Sequence, residues 1–162
     1  MLDQIDKQLV NLLQMDGRQS ASDLAQQVGM SVPAVSERIR KLHDVGVILG
    51  FIAVTDPKKL GMDVGAYITL ISERSDHYNE VIKKAKAHPE VLDVMSVTGE
   101  GSHLLRIRTE NTATLEKLLS QIQSWPGVTR TETRIILSTY KEHSVIPVAA
   151  SMVKQSIHSK GD

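Results

Sequence analysis

Residues 20–48 read SASDLAQQVGMSVPAVSERIRKLHDVGVI, and their punctuation predicts two short helices joined by a tight turn. Ser20 is an N-cap residue, and Asp23 three positions later completes a capping-box pattern, with Asp in the usual place of Glu. Leu24, Ala25 and Val28 supply one apolar face at helical spacing. Gly29 follows as the C′ residue, where a left-handed backbone costs glycine nothing. Ser31 caps the next helix, and Pro33 falls in its first turn, where no amide proton is missed.

The second helix carries the chemistry. Val32, Val35, Ile39 and Leu42 recur at helical spacing and predict one buried stripe. The opposite side carries Pro33, Ala34, Glu37, Arg40 and Lys41, with Ser36 and Arg38 on its flanks. Small side chains let a helix approach base edges closely. The cations one turn later reach phosphates or guanine edges. The short Gly29-Met30-Ser31 linkage fits a helix-turn-helix whose second helix enters the major groove. The competing reading is an ordinary antiparallel helix pair with a solvated charged face.

Upstream, Asp3 is positioned to cap a helix reaching Met15, with Ile5, Leu9, Leu12 and Leu13 on its apolar face. Downstream, Gly46 closes the recognition helix and residues 47–54 read as a strand leaving a three-helix head. Asp56-Pro57 and Leu60-Gly61 mark a turn. The next segments alternate. A strand over residues 63–72 places Val64, Ala66, Ile68 and Leu70 on one face. A helix capped by Asp76 buries Tyr78, Val81, Ile82 and Ala85 and stops at His88-Pro89. Strands over residues 91–98 and 103–109 flank the turn Gly99-Glu100-Gly101. A helix capped by Asn111 turns Leu115, Leu118, Leu119 and Ile122 inward and stops at Trp125-Pro126-Gly127. Residues 128–139 read as the last strand. The halves share a proline-marked helix stop before a valine-led strand, a weak internal repeat.

This β-α-β-β-α-β order predicts an α+β protein: an N-terminal winged-helix-like helix-turn-helix plus a C-terminal ferredoxin-like sandwich. The expected divisions are residues 1–50 for the head, 51–62 for a linker, 63–148 for the sandwich and 149–162 for a tail. Met152, Val153 and Ile157 in that tail suit a short amphipathic helix or a frayed end. Tyr67, Thr69 and Ile71 make a poor solvated sheet face, so a second subunit is expected over them as a two-fold dimer.

Composition narrows the function. The chain has 162 residues, 41% hydrophobic and 23% charged, which suits a soluble globule of one medium or two small domains. With no cysteine it has no disulfide, thiol nucleophile or zinc–thiolate site. Its N-terminus, MLDQIDKQL, is neither a signal peptide nor a membrane span, so a cytoplasmic, nucleoid-associated location is expected. Aromatic content of 3% argues against a stacking platform for single strands. The six histidines show no metal-ligand spacing, and there is neither a phosphate-binding glycine loop nor a nucleophile elbow. No catalytic residue, metal or cofactor is expected, and the chain does not read as an enzyme. Lys plus Arg number 19 and Asp plus Glu 19, so the net charge is zero. A neutral monomer binds duplex DNA weakly. The DNA reading therefore needs local charge at Arg38, Arg40 and Lys41 and several heads acting together.

Four segments, LDQIDKQLVNLLQMDGR, DLAQQVGMSVPAVSERIRKLHDVGVILGF, VTGEGSHLLRI and WPGVTRTETRIILSTYKE, resemble in this order the Lrp/AsnC family of bacterial and archaeal transcription regulators. The resemblance implies a sequence-specific DNA-binding regulator with an effector-sensing α/β sandwich. That sandwich dimerises and assembles further, often to octamers. Double-stranded DNA is then the partner, met by Ser31, Pro33, Ala34, Ser36, Glu37, Arg38, Arg40 and Lys41. The alternative partner of Arg38 is Asp44 or Glu37. A small effector, commonly an amino acid, is expected between dimers at the turn of Thr98, Gly99, Glu100, Gly101 and Ser102. The family usually has aspartate at the position of Ser102 and often an aromatic at that of His103. Glu100 as a substitute, a different effector and no effector are the alternatives. His103 reads as a polar residue at a strand edge, and Trp125 as core or interface. An effector-independent protein that wraps DNA is the other functional reading.

Overall fold

The structure, a computed structural model, describes residues 2–72, 75–142 and 145–149. The chain forms two compact units, residues 1–53 with those from 141 onward, and residues 54–140.

The head contains α1 (Gln4–Met15), α2 (Ala21–Val28) and α3 (Val32–Asp44). Asp3 and Asp6 form a reciprocal capping box: Asp3 Oδ1 accepts from Asp6 N at 2.8 Å, and Asp6 Oδ2 from Asp3 N at 3.1 Å. The Ser20 cap is one-sided. Its hydroxyl accepts from Asp23 N but donates to the Asp23 carboxylate at 2.7 Å, so the acid is taken by the cap's hydroxyl in place of its backbone amide. Gly29 ends α2 at φ 70°, and Ser31 and Pro33 start α3 as expected. Leu9, Leu24, Val35 and Leu42 fill the core, with Ile39 packed against it. Val32 departs from the expected stripe: as the first residue of α3 it lies beyond the packed core and is 42% exposed.

Residues 47–54 form no strand. A strand needs a neighbour to take its outward amides and carbonyls, and no described strand pairs with this segment. Leu49 and Ile52 are 89% and 88% exposed there.

The second unit contains β1 (Val64–Ile71), α4 (Tyr78–Ala87), β2 (Val91–Ser96), β3 (His103–Thr109), α5 (Thr112–Gln123) and β4 (Arg130–Ile135). Its antiparallel sheet runs β2-β3-β1-β4, the ferredoxin-like order. Ala66, Ile68 and Leu70 face the helices with Leu105 and Ile107, and Val81, Ala85, Leu115, Leu118 and Ile122 close the core over them. Trp125 is also core. Asn111 caps α5, its side chain accepting from Ala113 N at 2.9 Å and Thr114 N at 3.0 Å. Asp76 does not cap α4. A 3₁₀ turn (Ser75–His77) precedes the helix and puts His77, which makes no side-chain cap, at the N-cap. The outer strands are shorter than expected at both places: β2 stops at Ser96 and β4 at Ile135.

The sandwich was expected to run through residue 148. The sheet ends at Ile135, and residues 145–149 belong with the head, where Val148 packs against the helical core. The tail helix around Met152, Val153 and Ile157 lies outside the described residues. Among the described residues no helix is long and apolar enough to cross a membrane.

Leu118 is 1% exposed between α5 and the sheet. Leu118→Ala should destabilise the sandwich by roughly 2–5 kcal/mol, read as a lower urea midpoint.

Candidate nucleic-acid interface and effector turn

Along α3, Ser31, Pro33, Ser36, Glu37, Arg40 and Lys41 are exposed, and Ala34 is half-buried. The small-to-cationic gradient therefore stands on the surface of the head. Three capped or glycine-terminated ends fix where α3 begins and how it leaves α2. Lys41 and His43 lie in the last turn, where cations are favoured by the helix dipole.

Arg38 is differently engaged. Its Nη1 donates to Asp3 Oδ2 at 2.6 Å and to Asp6 Oδ1 at 2.7 Å, joining the start of α1 to the middle of α3. Neither alternative partner, Asp44 or Glu37, is the one used. The hydrogen bonds that the guanidinium donates to Asp3 and Asp6 push the Arg38 pKa up further. The Asp3 carboxyl is held below its usual value, first by the Asp6 amide and next by Arg38. These two aspartates are the residues the sequence reading missed at this site. Asp3 reads from the sequence only as a cap and Asp6 carries no reading there, and nothing local points across 35 positions to Arg38.

Arg40 is also paired. It donates from Nη2 to Glu37 Oε1 at 2.6 Å and from Nε to Oε2 at 3.1 Å, with Asp44 3.8 Å from Nη1. This fork lowers the Glu37 pKa and raises that of Arg40. Lys41 has no carboxylate within 4.0 Å among the described residues, so of the three α3 cations it is the least neutralised.

The effector turn lies in the second unit. Thr98, Gly99 and Glu100 are exposed, and Gly101 and Ser102 are half-buried. Gly101 requires glycine: its φ is 93°, and a Cβ there would overlap Thr69 Cγ2 and sit 3.0 Å from the Leu70 carbonyl oxygen. The Ser102 amide donates to that same oxygen at 2.9 Å, fastening the turn to β1. Glu100 lies 3.4 Å from Arg130 with both side chains largely exposed, a pairing water weakens.

His103 is not an edge residue. It faces the core, 1% exposed, with its ring edge-on to Tyr78 at 4.8 Å between centroids. Its Nδ1 is 2.9 Å from the Ser102 hydroxyl. Burial pushes its pKa down, so the fold favours the neutral ring. None of the turn residues lines the groove of about 520 Å³ between α4 and β2, whose walls include Ile82, Lys86, Asp93 and Ser96. Among the described residues no cluster of three or more His, Asp or Glu is arranged to hold a metal ion.

A helix-turn-helix head with a cationic recognition face, followed by a four-stranded sandwich with a glycine turn, defines a DNA-binding regulator with an appended α/β domain. Residues 2–43 match the AsnC-type helix-turn-helix domain, and residues 65–146 the Lrp/AsnC ligand binding domain. The chain belongs to the Lrp/AsnC family of transcription regulators. It is 37% identical to the HTH-type transcriptional regulator FL11 of Pyrococcus horikoshii, over 91% of this chain and 97% of that one. It is 35% identical to the transcriptional regulator LrpA of Mycobacterium tuberculosis, over 90% and 97%. Among solved structures, it is similar to the feast or famine regulatory protein of M. tuberculosis complexed with L-methionine. That likeness has a TM-score of 0.85 and 34% identity, covering 91% of this chain and all of that one.

Arg40→Ala should weaken operator binding and reduce the salt slope of the affinity by about one. Arg38→Ala should instead lower the melting temperature of the head, read by differential scanning calorimetry. Because the Asp3 pKa is depressed in the fold, its contribution is complete above about pH 4 and is lost as pH falls through the lower folded value. Asp3→Asn should remove that acid dependence.

His103 gives a second pH dependence of the same sign. Its folded pKa lies below the unfolded value near 6.5, so its stabilisation is full above about pH 6.5 and declines as pH falls toward the folded value. His103→Phe, which keeps an aromatic edge against Tyr78, should flatten the urea midpoint between about pH 6.5 and pH 5.

Proposed function

We propose that this regulator acts as a homo-oligomer whose affinity for a specific operator is set by a small amino acid bound at the turn of residues 98–102. The observation that carries the reading is the turn itself. It is held in one shape by Gly101 and Leu70, exposes Glu100 as a carboxylate for an α-ammonium group, and belongs to a domain matching a ligand-binding family. The relative described with L-methionine supports an amino acid as the effector class. Ser102 stands where the family usually has aspartate, so Glu100 takes that role here, releasing Arg130 to do so.

Assembly follows from the sheet. The face away from the helices carries Tyr67 and Thr69 with Arg106, Arg108, Glu132 and Arg134. Arg106 pairs with Asp93 across β3 and β2, and Arg130 and Arg134 both pair with Glu132 along β4, at 2.7 and 3.3 Å. Tyr67, 36% exposed at the centre of this face, and the pairing of Arg106, Arg130 and Arg134 with carboxylates suit it to burial against a two-fold copy. Two such heads meet successive major grooves about 34 Å apart. Dimers then join at the exposed turn into a larger ring, closed as an octamer. An effector at that joint changes head spacing and so operator affinity. The protein works on the nucleoid, in the cytoplasm.

Light scattering with and without L-methionine and the other amino acids, followed by gel shift on the DNA upstream of its own gene, tests this. The expected result is an oligomer larger than a dimer whose operator affinity changes with one amino acid, and Glu100→Gln abolishes the change. A monomer without DNA affinity overturns the reading. A fixed oligomer that binds all DNA alike, with a specific-to-nonspecific ratio near unity, replaces it with DNA wrapping.

A further inference from the structure

The segment after the sheet does not end as a loose tail. Gln14, in the last turn of α1, uses both ends of its side-chain amide on one residue: Nε2 donates to the Ile146 carbonyl at 3.0 Å, and Oε1 accepts from Ile146 N at 2.7 Å. Asn11, three positions earlier and hence on the same face of α1, donates from Nδ2 to the Val148 carbonyl at 3.1 Å. The two carbonyls used are two residues apart, as on one edge of an extended strand. Pro147 lies between them and has no amide hydrogen to satisfy. Val148 turns onto the helical core, and beside it runs an apolar slot of about 390 Å³ walled by Val10, Leu13, Ile48, Phe51 and Val148.

We propose that residues 145–149 are a strap that positions the recognition helix through α1. The argument rests on the DNA-binding reading of α3 and on what α1 touches at each end. Its last turns hold the strap through Asn11 and Gln14. Its first turn holds α3 through Asp3 and Asp6 on Arg38. α1 is twelve residues long, about the length at which an isolated helix is marginal, so its order depends on what packs against it. A strap that orders the end of α1 orders the carboxylates that fix Arg38, and with them the presentation of Arg40 and Lys41. The strap continues the chain that leaves β4, so the same covalent segment belongs to the effector domain at one end and to the head at the other. The occupant is this chain's own C-terminal segment, docked in cis.

The test uses the full chain with Gln14→Leu, Asn11→Leu and the pair, measured by operator gel shift at several salt concentrations and by hydrogen exchange. The expected result is faster exchange at the α1 amides and at residues 145–149, and a three- to tenfold loss of operator affinity with the salt slope unchanged. An unchanged affinity with α1 protection lost overturns the positioning role. A reduced salt slope also overturns it, because residues 145–149 would then touch DNA themselves. If the parent protein binds no operator, the DNA reading fails, while the exchange data still decide whether the strap orders α1. Should the leucine variants fail to fold, Ile146→Pro removes the amide that Gln14 accepts from while leaving α1 untouched, and the same readouts apply. The chain has no native cysteine, so Met15→Cys with Val145→Cys, which leave Asn11 and Gln14 in place, joined by a short bismaleimide report the donor. A cross-linked monomer band is expected, and a cross-linked dimer overturns docking in cis.

Discussion

The head depends on one guanidinium held between two carboxylates. Asp3 and Asp6 each divide their oxygens between two tasks. One oxygen of each closes the capping box at the start of α1, and the other accepts from Arg38 Nη1. Cap and clamp are therefore one structure. Fixing the first turn of α1 aims both acids, and Arg38 in turn keeps their charges from repelling each other at such short range. Helices of twelve, eight and thirteen residues have little stability apart. A long-range ion pair anchored in a cap gives α1 and α3 a fixed register that the shared apolar core, being non-directional, does not specify.

The same pairing explains how a chain with no net charge carries a DNA-binding face. Its acids are placed against its arginines. Arg38 is neutralised from α1, and Arg40 from Glu37 on its own helix. The Glu37 fork restrains the Arg40 side chain on the exposed face, with the two side chains 67% and 63% exposed, so water weakens the pair and leaves it exchangeable. On the proposed reading a phosphate replaces the carboxylate on DNA, so the exchange would be of one anionic partner for another. The attraction is then short-ranged: at a distance the head is nearly neutral, and only a backbone close enough to displace Glu37 meets the full charge. Such a face favours fit over long-range capture, and makes joining several heads in one assembly the natural source of affinity.

What could be read from the chain alone was what local chemistry decides. Ser20, Ser31 and Asn111 cap because their side chains reach amides two or three residues away, and Gly29 terminates because only its own backbone is involved. The strand order followed from alternation that one packed face enforces. The misses share a different cause. For Arg38 the alternative partners expected were Asp44 and Glu37, close in sequence, whereas its carboxylates lie at the start of another helix. Residues 47–54 have the composition of a strand, but a ladder is a property of two segments and this one has no described neighbour. His103 was placed at an edge because histidine is polar, whereas alternation with Leu105 and Ile107 puts it on the buried face with them. Residues 145–149 carry no motif, since the hydrogen bonds that hold them run from Asn11 and Gln14 to the backbone and only Val148 adds a side-chain contact, with the distant helical core.

In the effector turn, shape and selectivity come from different atoms. Its shape needs a positive φ at Gly101, contact with Thr69 and one amide hydrogen bond from Ser102 to Leu70, and none of these uses the Ser102 side chain as an acid. The hydroxyl serves the fold instead, standing between the Leu70 carbonyl and the buried ring of His103. An aspartate there would bring a charge against that carbonyl oxygen, with only the neutral imidazole to answer it. Ser102 and His103 thus form a matched pair: a neutral hydroxyl suits a neutral buried ring. On the proposed reading, the acid that an ammonium group needs is then Glu100, which solvent reaches, so the turn would keep its backbone while the recognising charge moves from the floor to the rim.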